Sequence, residues 1–184
     1  MTFGKTFVLS LVAFVGLNFI FSILYLALGP GFGLLLDRFN PSSPDYAPLM
    51  LLYYFFGSVA ALPSVILNWV LILPILPPND ISLLVIGLGF LIAPLIAAIL
   101  AGKFAESKLQ GFAGWSLTVI LSTVAVLIGL FLSPAVENTI TALYPQPALP
   151  LSFEAVLIYV VISCVINIVF YGFFALLVSK TEYY

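Results

Sequence analysis

Residues 87–101 read GLGFLIAPLIAAILA. Gly89, Ala93, Ala97 and Ala101 stand four apart in this stretch, so on a helix they share one face. Everything around them is apolar. Lipid tails are as apolar as leucine, so hydrophobicity alone does not draw two membrane helices together. Small side chains do, by letting backbones approach and gain dispersion contacts. The line is therefore expected to be a packing seam in a membrane helix. Its commoner use is packing within one chain; its other use is docking onto a second subunit. Pro94 lies beside the seam. It is expected to bend the helix, and the carbonyl it leaves unpaired must be satisfied by protein.

The rest of the chain fits that setting. Of 184 residues, 64% are hydrophobic and only 7% are charged, too few for a water-solvated surface. Several apolar runs reach the roughly 20 residues needed to cross a bilayer. The expected fold is all-α: one polytopic transmembrane helical bundle over residues 1–184. The first apolar run, Phe7 to Leu28, exceeds the roughly 7–15 residues of a signal-peptide core and reads as the first membrane helix.

Composition also removes chemistry. There is no histidine, the commonest general base and metal ligand. The single cysteine, Cys164, can form neither an intrachain disulfide nor a thiolate metal site. No metalloprotease, nucleophile-elbow, phosphate-loop or dinucleotide motif is present. No acid or base lies centrally in a clear span, where proton relays and voltage sensors need one. A net charge of −2 without a basic patch gives no reason to expect nucleic acid. The expectation is a protein without cofactor, metal or catalytic residues.

Along the chain, Gly29-Pro30-Gly31 ends the first helix. Residues 31–36 are expected to lie along the interface. The block from Tyr46 to Pro77 carries no charge and has Pro63 near its middle. At about 1.5 Å per residue it is too long for one straight span. Two readings compete: one long kinked helix, or a re-entrant hairpin folding back at Ala61-Leu62-Pro63-Ser64. Lys5, Lys103, Lys108 and Lys180 share one side only if the block returns to the side it entered. The positive-inside rule then favours the hairpin and places both termini in the cytoplasm. Further helices are expected at about 81–102, 112–132 and 154–179, with a short one over VENTITAL, residues 136–143. The total is about six apolar segments.

Polar residues inside these segments are the candidate sites. Tyr159, Ser163, Asn167 and Tyr171 form a stripe on the last helix. An asparagine amide in hydrocarbon must find a partner, so the stripe should face protein or a cavity. One reading is interhelical hydrogen bonding, to Asn18, Ser22, Ser122 or Thr123. The other is a small cavity lined by Asn18, Asn167 and Tyr171, with Asn68 and the remaining stripe residues as further candidates. Tyr53, Tyr54, Trp69 and Trp115 read as interface anchors. Asp37 and Arg38 read as a local exposed pair.

Two functions fit. The first is a structural or accessory subunit in the lipid bilayer, packing with other membrane subunits or with copies of itself through the small-residue seam. The second is a binding or permeation component for a small, mainly apolar ligand. In topology the second resembles the substrate-binding components of energy-coupling-factor transporters, compact six-helix proteins with long outside loops. Their first helix often carries an Ala-x-x-x-Ala docking motif. Here that helix reads SLVAFVGLNF and lacks it. A lipid-modifying enzyme is the third and least supported class.

Overall fold

The computed structural model describes residues 3–72, 81–144 and 151–179. Among them all regular structure is helical. The elements are α1 (Phe3–Leu28), α2 (Phe32–Asp37), α3 (Met50–Phe56), a 3₁₀ turn (Gly57–Ala60), α4 (Pro63–Ile72), α5 (Ile81–Lys103), α6 (Lys108–Leu132), α7 (Pro134–Thr141) and α8 (Phe153–Val178). Asp80, Lys180 and the end of the 46–77 block lie outside the described residues.

Four helices are long and apolar enough to cross a membrane: α1, α5, α6 and α8. The shortest has 23 residues, about 34 Å at 1.5 Å per residue, against a hydrocarbon core of roughly 30 Å. The chain is accordingly an integral membrane protein. α3 with its 3₁₀ turn and α4 form a pair bent by 96°, which adds at most one further crossing. The described residues thus give four spans, or five if the bent pair is one, against the expected count of about six; α3 and α4 have only 7 and 10 described residues. Among the described residues neither leg is long enough to cross a membrane alone.

The seam is used inside the chain. α1 packs along α5 more extensively than any other pair of helices. Gly89, Ala93, Ala97 and Ala101 are all buried within the bundle. A Cβ on Gly89 would stand 2.4 Å from Cβ of Phe21, so only glycine permits this approach. Pro94 sits within α5, buried beside the seam.

Close contacts also fix which helix ends lie together. Gly114, early in α6, sits beside Thr6 on α1. Gly102, at the end of α5, abuts the Ala175 carbonyl of α8, and Gly111 abuts Ser179. Lys5, Lys103 and Lys108 therefore gather at one end of the bundle. At the other end, Gly29 after α1 meets Ser82 at the start of α5. The short helices α2 and α7 belong to this second end. There the starts of α7 and α8 carry Glu137 and Glu154. Ser107 and Ser152 cap α6 and α8 by accepting from the backbone N–H groups of Gln110 and Ala155.

Candidate functional site

The polar chemistry of the bundle converges on the bend. Pro63 has no N–H, and it disfavours helical geometry at Leu62. In a continuous helix the Val59 carbonyl would accept from residue 63, which here is that proline. The chain instead turns through Gly57–Ala60 and becomes extended at Ala61. The carbonyls of Val59, Ala60 and Ala61 are left without helical donors, and all three residues are buried. In hydrocarbon an unpaired carbonyl costs several kcal/mol, so side chains must replace the missing donors.

Asn167 on α8 supplies two of them. Its Nδ2 donates to Val59 O at 3.3 Å and Ala61 O at 3.1 Å, as well as to Ser163 O at 2.8 Å on its own helix. Tyr144, just past α7, donates its hydroxyl to the Ala60 carbonyl and lies 3.1 Å from Ser163 Oγ. Its ring stacks on Tyr159 at 4.7 Å. Ser22 of α1 donates to Tyr54 O at 3.1 Å. Trp115 Nε1 of α6 donates to Asn167 O at 3.2 Å. The bend is thereby tied to α1 and α8 and to the segment after α7, with α6 holding the asparagine from behind.

The predicted polar residues fall unevenly around this knot. Ser163 and Asn167 are at its centre, and Tyr159 joins through Tyr144. Tyr171 is buried and meets Trp115 edge-on at 5.9 Å, with its hydroxyl unpartnered. Asn18 is buried but turns its Nδ2 back to Phe14 O at 2.9 Å on its own helix, leaving Oδ1 unpartnered. Asn68 is exposed on α4 and joins none of them. The partners suggested for the stripe are engaged elsewhere: Ser122 and Thr123 donate to carbonyls within α6. Trp115 is not an interface anchor. It is fully buried between Phe14 and Tyr171, where its indole N–H is used internally.

Beside the knot, toward the acidic end, the bent pair holds open a cavity of about 170 Å³. Met50, Tyr53 and Tyr54 of α3 and Trp69 of α4 line it, so both legs of the bend face one space. Tyr25 of α1 and Leu83 and Ile86 of α5 close its sides. Leu34 and Arg38 at α2, together with Thr139, Ala142 and Leu143 at α7, complete the lining. None of the six predicted cavity residues lines it. Tyr53 and Tyr54, expected to be interface anchors, are instead buried inside the protein. Arg38 makes no ion pair with Asp37; its guanidinium sits against the Tyr54 hydroxyl, and its Nε is buried without a protein partner.

Two signals in the sequence pointed here. A proline four residues after Val59 announces a carbonyl in need of a donor. Arg38 is also the only basic residue between Lys5 and Lys103, in an otherwise acidic set of connections. Tyr144 carried no such signal. No group of histidine, cysteine, aspartate or glutamate side chains able to hold a metal occurs among the described residues. No protein-family model, curated protein or solved structure matches this chain.

Proposed function

We propose that this chain is a non-catalytic, multi-pass membrane protein that binds a small, mainly apolar solute in the cavity held open by the bent α3–α4 pair. The cavity is the observation that carries this reading. Tyr, Trp, Leu, Ile and Met side chains provide an apolar lining, and Arg38, Thr139 and the tyrosine hydroxyls provide a few polar groups, the usual make-up of a small-molecule site. Its volume is close to that of an engineered cavity of roughly 150 Å³ that binds benzene.

The bent pair is read as re-entrant. Its tip lies at Asn167, near the middle of α8, while Met50 and Trp69, on its two legs, both line the cavity at the acidic end. With four crossings and a re-entrant pair, both ends of the chain lie on one side. The positive-inside rule makes the lysine end cytoplasmic and opens the cavity toward the opposite face.

The accessory-subunit reading is weakened, because all four small residues of the seam are buried within this chain. It retains the shortness of the connections. Mass spectrometry of the protein purified from its native membrane in mild detergent separates the two. A retained small molecule that is lost from a cavity-filling Leu83→Trp variant supports the binding reading. Stoichiometric companion chains with no retained molecule overturn it in favour of a subunit.

A further inference from the structure

Resting on that reading, the geometry points to the class of ligand: a small amphiphile with one anionic group, a monocarboxylate on an aromatic or branched apolar body. The cavity is apolar on the α4 and α5 sides, and one cation enters its lining from the end of α2. Arg38 is half-buried, yet no carboxylate pairs with it among the described residues. Arginine presents five N–H donors in a planar fork that matches a carboxylate, and the buried Nε of Arg38 has no protein partner. A guanidinium partly withdrawn from water and short of acceptors favours an anion over any neutral group of the same shape.

The apolar side sets the body. Tyr53 and Tyr54 lie edge-to-face at 6.3 Å, and Tyr53 meets Phe90 in the same way at 6.0 Å, so the two tyrosine rings of the lining are held by aromatic contacts. At about 170 Å³ the cavity takes a body the size of a benzene ring, not an acyl chain. That size favours a free solute over a lipid headgroup as the source of the anion.

Benzoate and benzyl alcohol test this directly, because they share the ring and differ in the charge. Trp69 lines the cavity and is one of two tryptophans, so indole fluorescence reports occupancy, and a Trp69→Phe variant isolates its share of the signal. The protein is held in phosphatidylcholine nanodiscs. Benzoate is expected to saturate the Trp69 signal at a concentration at least about tenfold below that for benzyl alcohol, the size expected of a charge-assisted hydrogen bond. Arg38→Gln should abolish that preference while keeping benzyl alcohol binding, which shows that the cavity is intact. Arg38→Lys should retain part of the preference. Equal binding of the two probes to the wild type overturns the anionic-ligand inference and leaves the solute-binding reading standing. No Trp69 response to either probe overturns both. Loss of benzoate binding when phosphatidylglycerol replaces part of the phosphatidylcholine would assign Arg38 to a lipid headgroup and overturn the free-solute assignment.

Discussion

Replacing Asn167 with leucine tests whether the bend is held by the asparagine. The side chains are similar in volume, so the change removes hydrogen bonds with little change in packing. Three bonds disappear, but they are not equal. The Ser163 carbonyl keeps its place in the α8 ladder. The Val59 and Ala61 carbonyls receive no backbone N–H, and they lose their donor outright. Interhelical hydrogen bonds in membrane proteins average about 0.6 kcal/mol and reach about 1.7, because the membrane-embedded unfolded state finds other partners. A buried carbonyl left unpaired costs about 1–3 kcal/mol. Two orphaned carbonyls in a proline break lie at the upper end of the first range, giving about 2–3 kcal/mol in total. For a chain of this length that corresponds to a fall in Tm of roughly 5–10 °C. Thermal unfolding in detergent, followed by circular dichroism, measures it. Thr123→Val is the matched control: Thr123 donates only within α6, and its loss should cost under about 0.5 kcal/mol. If Asn167→Leu is no more destabilising than Thr123→Val, the asparagine does not hold the bend.

Three other outcomes follow from the packing. Tyr144→Phe removes the donor to Ala60 and should cost about 1–2 kcal/mol, and its effect should not add to that of Asn167→Leu, since both act on one break; a double-mutant cycle in the same melts checks this. Ala97→Leu overfills a fully buried seam position and should lower stability by about 1–3 kcal/mol without altering oligomeric state by light scattering; unchanged stability with altered assembly would show that the seam faces another chain. Gly102→Ala places a Cβ 2.1 Å from the Ala175 carbonyl oxygen and forces α5 from α8, whereas Gly16→Ala meets nothing within 4 Å and should be neutral or stabilising by up to about 1 kcal/mol. Comparing the two melting temperatures decides whether the α5–α8 approach is as close as described.

The membrane class, the long spans and the break at Pro63 were legible because each rests on local rules: span length, apolar composition and proline's missing N–H. Asn167 was legible for the same reason, as an amide in hydrocarbon must be partnered. Its partners were not. Side-chain polarity suggested hydroxyls on other helices, but the strongest demand for donors came from backbone carbonyls that a list of polar residues does not display. Trp115 departs from its expected place for a related reason. A tryptophan near a basic turn usually marks the headgroup level, and here tertiary contacts with Phe14, Tyr171 and Asn167 take it into the core. The cavity was invisible because its lining comes from six elements distant in sequence. Arg38 in particular reads as half of an exposed pair in the sequence, whereas the fold brings it into one lining with Tyr53 and Tyr54 of α3.

The knot, the cavity and the common side of the lysines all depend on the bent pair entering and leaving by the same face. Single cysteines at Tyr46, before α3, and Ile72, at the end of α4, test this in a Cys164→Ala background, with Glu106 in the turn between α5 and α6 as the reference. In intact, sidedness-controlled vesicles a membrane-impermeant maleimide should label positions 46 and 72 from one face and position 106 only from the other. Labelling of 46 and 72 from opposite faces would make α3–α4 a crossing helix, place the two ends of the chain on opposite sides, and contradict the account.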